Sequence, residues 1–127
     1  MNLDEYRVHR RRAMNYDLNL SMQRINAALG LGEAGEVQGI IKKELFHDHA
    51  EDPYKVLDEA GDLIFYLDWL LETYDWTIEN AMNANVAKLA ERFPNGFDPA
   101  RSRLRDRQKE SEAVSEAVQY VARHESL

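Results

Sequence analysis

The stretch YKVLDEAGDLIFYLDWLLETY, from Tyr54 to Tyr74, decides the fold because it contains the longest apolar run of the chain. Its apolar residues recur at spacings of three and four, which is the period of an α-helix, and they fall on several sides of that helix. The positions that we predict to point inward are Val56, Ala60, Leu63, Ile64, Leu67 and Leu71. This segment is therefore predicted to be a helix and the most buried element of the protein.

Two helices are predicted before this segment. The pair Asn2 and Glu5 is typical of a helix start and predicts a first helix that runs to about Met14, with Tyr6 on its inner side. The second is predicted over 18–46, where the apolar residues again follow helical spacing. These residues are Leu18, Met22, Ile25, Leu29, Ile40 and Ile41.

Two helical segments are predicted after it. Thr77 is a suitable N-cap for a helix that reaches Phe93, where a Pro-Asn-Gly turn follows. Asp98 and Pro99 then match the N-cap and first position of a last segment. That segment is dense in charge over 101–110, and its short apolar stripe consists of Val114, Ala117, Val118 and Val121.

No segment shows the strict alternation of a strand, and glycine and proline are scarce. The predicted fold is therefore all-α, a four-helix-type bundle with a charged helical C-terminal extension. We place the helical domain at residues 1–102 and the extension at 103–127.

Composition excludes several classes of function. Sixteen basic and 23 acidic residues give a formal charge of −7, which argues against a broad surface for a nucleic acid polymer. The absence of cysteine excludes disulfides and thiolate metal sites. No apolar stretch is long enough for a membrane span, and the first residues do not resemble a secretory signal, so we expect a cytoplasmic protein.

Four pairs of carboxylates are spaced three residues apart, and their surroundings separate them. Two pairs, Asp48/Glu51 and Glu72/Asp75, lie in a polar linker and at a helix end, where we expect solvated surface. The pair Glu33/Glu36 instead continues the inner stripe of the second helix, at positions where the pattern favours apolar residues. The pair Glu59/Asp62 lies within the most apolar helix. Buried carboxylates need a positive partner, since each costs several kcal/mol without one.

That partner is either a basic side chain or a metal ion. The nearest lysines, Lys42 and Lys43, lie at the end of the second helix, which favours a hard divalent cation. Ligation by oxygen alone suits magnesium, with manganese as the second choice. A salt-bridged helix pair that uses lysines from elsewhere in the chain is the alternative.

Other residues indicate close approach and phosphate binding. Glycines cluster around Glu33 and Glu36, which implies that a backbone or a ligand comes near; they are Gly30, Gly32, Gly35 and Gly39. Asn85, Lys88 and Arg92 share one face of the fourth predicted helix, and the two cations suit the remaining charge of a triphosphate. An ordinary solvated helix face is the default interpretation of these three residues when they are considered without the rest of the sequence.

Three stretches together resemble the MazG family of all-α nucleoside triphosphate pyrophosphohydrolases. They are NAALGLGEAGEVQGIIKK (26–43), LDEAGDLIFYL (57–67) and NVAKLAERFPNGF (85–97). The family pattern is Glu-x-x-Glu, then Glu-x-x-Asp, then a Lys and an Arg before a Tyr/Phe-Pro turn, and all of these occur here in order. The resemblance covers roughly 3–102, and the segment after Ser102 has no counterpart in it.

The resemblance implies a magnesium-dependent reaction in which a nucleoside triphosphate and water give the monophosphate and pyrophosphate. It implies that the metal is bound by Glu33, Glu36, Glu59 and Asp62, with Glu33 or Glu36 accepting the proton of the attacking water. Lys88 and Arg92 would bind phosphates, with Asn85 near the nucleotide. It also implies a homodimer or homotetramer. We expect a purine substrate, dGTP in particular.

Three alternatives stay open at this point. Hydrolysis of dUTP or of phosphoribosyl-ATP within the same superfamily would use the same carboxylates. A non-catalytic helical oligomer whose acids hold a structural ion is the alternative from a different class of protein.

Overall fold

The computed structural model describes residues 1–14 and 17–120, which form seven α-helices, one 3₁₀ turn and no strand. The helices are α1 (Leu3–Ala13), α2 (Leu20–Gly30), α3 (Ala34–Phe46), α4 (Pro53–Glu72), α5 (Ile78–Arg92), α6 (Pro99–Arg103) and α7 (Arg107–Ala117), and the 3₁₀ turn is Leu31–Glu33. The predicted all-α class is confirmed. Within these residues, no helix combines the length and the apolar character that a membrane crossing requires.

The chain forms two compact units, residues 1–75 and 76–120. In the first unit α4 packs against α1, α2 and α3. The buried apolar side chains of the described residues all belong to this unit, and they are Leu20, Ala27, Ile40 and Trp69. Helix α4 is central as predicted, but Ile64 and Leu67, both predicted to point inward, are 44% and 37% exposed.

The predicted second helix is wrong in one respect, because the segment 18–46 is two helices rather than one. Helix α2 ends at Gly30, the 3₁₀ turn follows, and α3 begins at Ala34. Glycine lowers helix propensity, so Gly30, Gly32 and Gly35 make this the weakest part of the segment. The break sets Glu33 at the end of the turn and Glu36 in the first turn of α3.

The predicted helix starts are confirmed by their caps. Asn2 and Glu5 form a reciprocal capping box at the start of α1. Thr77 caps α5 by accepting a hydrogen bond from the backbone N–H of Asn80. Asp98 accepts from the N–H of Ala100 at the start of α6, with proline at the first position. These starts need only residues close in sequence, which is why the sequence predicts them well.

A buried ion-pair network joins α1 to α4. Arg10, whose side chain is fully buried, donates to Asp68 and to Glu72, and Asp68 is itself 1% exposed. Arg7 lies 3.4 Å from Asp68, and Arg11 donates to Glu72 at 2.6 Å. The prediction of solvated surface is therefore wrong for Glu72, because these arginines hold it against α1.

The Arg10 network also fixes the charge state of Glu72. Burial raises the pKa of this carboxyl, but the hydrogen bonds from Arg10 and Arg11 outweigh that effect, and the net pKa is lowered. Glu72 therefore stays ionised and paired at neutral pH.

In the second unit α5 packs against α7. Near the start of α5, Trp76 donates to the carbonyl of Gln119 at 3.4 Å and contacts the ring of Tyr120. Val114 and Val118 of the predicted apolar stripe are half-buried, and Val121 lies outside the described residues. The predicted boundary at 102 stays a prediction.

Candidate metal centre

Three of the four predicted carboxylates come together in the first unit. Glu33 ends the 3₁₀ turn, while Glu59 and Asp62 lie one turn apart on α4, which packs against that turn. Each of these three residues offers a carboxylate oxygen, and these oxygens all lie within 4.8 Å of one another. The three-residue spacing on α4 and the turn at Glu33 thus create one compact acidic cluster, the carboxylate trio Glu33, Glu59 and Asp62.

The electrostatics of this trio are unfavourable without a cation. Glu59 is half-buried, and its Oε2 atom is buried without any hydrogen-bond partner in the described part of the chain. Burial raises the pKa of Glu59, and the nearby carboxylates of Glu33 and Asp62 raise it further. A bound cation would offset the repulsion among the three carboxylates and would supply a partner for the buried Oε2 atom.

The donor set fits a hard divalent metal. All three donors are carboxylate oxygens, which suit magnesium and manganese rather than softer ions. Within residues 1–14 and 17–120, no lysine or arginine forms an ion pair with any of the three. The alternative of a salt-bridged helix pair therefore has no basic partner in this part of the chain.

Glu36 is separate from the trio. It lies in the first turn of α3, is exposed, and does not belong to the group of converging oxygens. The two roles predicted for Glu36, metal ligand and proton acceptor, therefore stay predictions.

Gly30 sets how closely α4 approaches the turn that carries Glu33. A Cβ atom at Gly30 would overlap the ring of Tyr66, which lies one turn after Asp62 on α4. The predicted close approach is thus found at Gly30. Gly32, Gly35 and Gly39 differ, because a Cβ at any of them would meet no described atom within 4 Å.

We expect Gly30→Ala to destabilise the protein by about 1–3 kcal/mol, because the Tyr66 ring must shift to admit the methyl group. Gly39→Ala is the matched control, since α3 has space there and alanine favours the helix; it should stabilise by about 0.5–1 kcal/mol. Urea denaturation of both variants measures the difference. Equal stabilisation by both substitutions would show that Tyr66 does not need the space at Gly30.

The predicted phosphate-binding residues lie on α5, in the second unit. Asn85 is exposed, Lys88 is half-buried, and Arg92 is half-buried in the last turn. Arg92 donates from Nε and Nη2 to Oε1 of Glu110 on α7, at 2.9 and 2.6 Å. Sequence reasoning missed this partner, because Glu110 is one of several acids in a charged segment and no periodicity singles it out.

Sequence reasoning also missed the network around Arg10. Two signals were present: Asp68 interrupts the longest apolar run, and Arg7, Arg10 and Arg11 are spaced three and four apart on one helix. Trp69 is part of the core, since it is 6% exposed and donates to Gln23 at 3.3 Å.

A comparison with protein families gives a match over much of the chain. The family model of the MazG nucleotide pyrophosphohydrolase domain matches residues 22–97. This range is more than half of the chain, and it contains the carboxylate trio as well as Asn85, Lys88 and Arg92. No curated protein and no solved structure gives a match.

Proposed function

The chain belongs to the MazG nucleotide pyrophosphohydrolase family, and we propose that it is a magnesium-dependent enzyme that converts a nucleoside triphosphate and water to the monophosphate and pyrophosphate. The observation that carries this proposal is the carboxylate trio, whose oxygens converge within 4.8 Å around a buried, unpartnered Oε2 of Glu59. A family of nucleotide hydrolases and an oxygen-only acidic cluster together favour phosphate chemistry assisted by a divalent metal.

Glu33, Glu59 and Asp62 are the residues that would hold the metal. When bound, magnesium supplies polarisation of the phosphate oxygens and neutralises part of their charge. Manganese is the alternative ion, because it accepts the same oxygen donors. The two half-buried members, Glu33 and Glu59, limit the access of solvent, while the exposed Asp62 leaves the cluster open on one side.

We propose that Glu36 accepts the proton of the attacking water. Of the four predicted acids, Glu36 is the one outside the carboxylate trio. Because it is exposed, a water molecule can reach its carboxylate. A carboxylate can accept a proton from water in the transition state. Glu36 as a fourth metal ligand is the competing role.

Asn85, Lys88 and Arg92 are proposed to bind the nucleotide. Lysine and arginine one turn apart match the spacing of charged oxygens along a triphosphate, and they would stabilise charge that develops on the leaving pyrophosphate. The proposal is supported by the motif alone, in which both residues precede the Phe93-Pro94 turn.

We also propose that the protein is a homodimer or homotetramer. In the first unit many apolar side chains on α2 and α3 remain open, a pattern typical of surfaces that another chain covers. They are Met22 (46% exposed), Ile25 (47%), Leu29 (70%), Ile41 (40%), Leu45 (69%) and Phe46 (77%). Sedimentation of the full chain as a monomer at micromolar concentration would contradict this.

Incubation with a triphosphate labelled at the α-phosphate should release labelled monophosphate and unlabelled pyrophosphate in one step. We expect this because the family cleaves between the α- and β-phosphates, whereas a phosphatase removes the γ-phosphate. Phosphorus NMR of the products distinguishes the two, and diphosphate with orthophosphate as the only products would contradict the proposal.

The same assay separates the related activities. A panel of the canonical nucleoside and deoxynucleoside triphosphates tests the expected preference for a purine such as dGTP, and it includes dUTP. Phosphoribosyl-ATP is assayed beside them. Binding of magnesium without hydrolysis of any of these compounds would favour the non-catalytic metal-binding oligomer.

A further inference from the structure

Arg92, which is predicted to bind phosphate, forms an ion pair with a buried carboxylate in the C-terminal part of the chain, that of Glu110. The side chain of Glu110, on α7, is 3% exposed and accepts hydrogen bonds from two arginines. Arg92 uses Nε and Nη2, both directed to Oε1, at 2.9 and 2.6 Å. Arg105 donates to Oε2 at 3.0 Å and to Oε1 at 2.9 Å. All four contacts lie within the second unit.

This contact occupies only one edge of the Arg92 guanidinium. Arginine has five N–H donors, and Glu110 engages Nε and one N–H of Nη2. Both donors of Nη1 and the second donor of Nη2 remain, and no described residue accepts from Nη1. The side chain is 17% exposed. Arg92 can therefore bind a second anion at its free end while Glu110 stays in place.

Charged side chains and a cavity surround Arg92. Arg101, on α6, donates to the carbonyl of Arg92 at 2.8 Å and to that of Glu91 at 3.3 Å, so it satisfies the last carbonyls of α5. A cavity of about 180 Å³ lies beside this cluster. Four of its eight lining residues are basic and three are acidic; the basic ones are Arg92, Arg101, Arg105 and Lys109, and the acidic ones are Glu91, Asp106 and Glu110.

We propose that Glu110 is a positioning residue, which holds the Arg92 guanidinium in one orientation so that its free end meets the triphosphate. This inference rests on the phosphate-binding role proposed for Arg92. An arginine that is already ordered loses less side-chain freedom when the nucleotide binds, so binding is tighter.

The ionisation of Glu110 supports a permanent contact rather than a switch. Hydrogen bonds from Arg105 and Arg92 lower its pKa from 4.5 to about 2. The carboxylate is therefore charged, and the contact with Arg92 is present, throughout the neutral range. An element that released Arg92 in response to pH would need a pKa much closer to neutrality.

The test measures the affinity of the full-length protein for inorganic tripolyphosphate with magnesium, which needs neither a particular base nor turnover. Glu110→Ala should raise the Kd by about three- to tenfold, the cost of ordering one arginine side chain. Glu110→Gln keeps the shape and one oxygen acceptor and should give a smaller increase. Glu112→Gln is the matched control, since Glu112 is exposed on the same helix and its side chain accepts a hydrogen bond from Gln108 rather than from an arginine; its Kd should not change.

A double-mutant cycle with Arg92→Lys distinguishes two roles of Glu110: orienting the Arg92 side chain, and stabilising α7 independently of Arg92. If Glu110 acts through Arg92, then Glu110→Gln should add no further loss of affinity in the Arg92→Lys protein. Additive losses, an unchanged Kd or a lowered Kd in the Glu110 variants would overturn the inference, and a lowered Kd would indicate that Glu110 competes with phosphate. Absence of tripolyphosphate binding by the unaltered protein would overturn it as well. If the expected cycle is found but no nucleotide is hydrolysed, the positioning role stands and the proposed hydrolysis fails.

Discussion

Glu59→Gln should reduce the turnover of nucleoside triphosphate by roughly a thousandfold or more, and it should leave the stability of the protein unchanged or raise it. A metal ion supplies several kcal/mol of transition-state stabilisation, and each 1.36 kcal/mol is tenfold in rate. Stability should not fall, because the substitution removes one of three converging carboxylates, and both burial and the repulsion from Glu33 and Asp62 raise the pKa of Glu59. Initial rates and urea denaturation of the same preparation measure both effects.

Asp58→Asn is the matched control for this experiment. Asp58 precedes Glu59 on α4, is exposed and does not belong to the carboxylate trio, so the variant removes an equal charge from the same helix. Its turnover should stay within a few-fold of the original. A Glu59→Gln protein that hydrolyses substrate at the unaltered rate would remove Glu59 from the metal centre.

Arg10→Ala should destabilise the folded protein by about 3–5 kcal/mol, the loss expected when a buried ion pair is broken on one side. Among the described residues, the substitution leaves Asp68, which is 1% exposed, with the more distant Arg7 at 3.4 Å, and Glu72 loses its contact with Arg10. The change in the free energy of unfolding is measured by urea denaturation.

Two further variants identify the cause of that loss. Arg12→Ala, on the same helix, removes an exposed arginine and should change stability by less than about 0.5 kcal/mol. Arg10→Met combined with Asp68→Leu replaces the charged pair by apolar side chains and should recover much of the stability. Equal, small effects of Arg10→Ala and Arg12→Ala would show that the network around Arg10 does not hold α1 on α4.

The sequence predicts the structural features that depend on residues close together in the chain. Asn2, Thr77 and Asp98 cap their helices as expected, because a cap needs only the next few residues. Glu59 and Asp62 lie on one face of α4 because three residues are close to one helical turn. Glu33 lies close to both in the structure. This position is expected because Glu33 continues the apolar stripe of the predicted second helix and belongs to the family motif.

The sequence does not predict features that depend on packing between distant segments. Arg10 and Asp68 are separated by 58 residues, and Arg92 and Glu110 by 18. The choice among the many charged residues that could pair at such distances is made by how the helices pack, which periodicity does not reveal. The break between α2 and α3 is a related case, since apolar spacing continues across it while three glycines weaken the helix.

The requirement for magnesium is tested most directly on the unaltered protein. After exhaustive dialysis against chelator, we expect no release of pyrophosphate from nucleoside triphosphate, and addition of magnesium should restore it, with manganese as a substitute. The reason is that Glu33, Glu59 and Asp62 bring three carboxylates together, and no basic side chain of the described chain neutralises them. Full hydrolysis in the metal-free preparation would contradict the metal centre and the function derived from it.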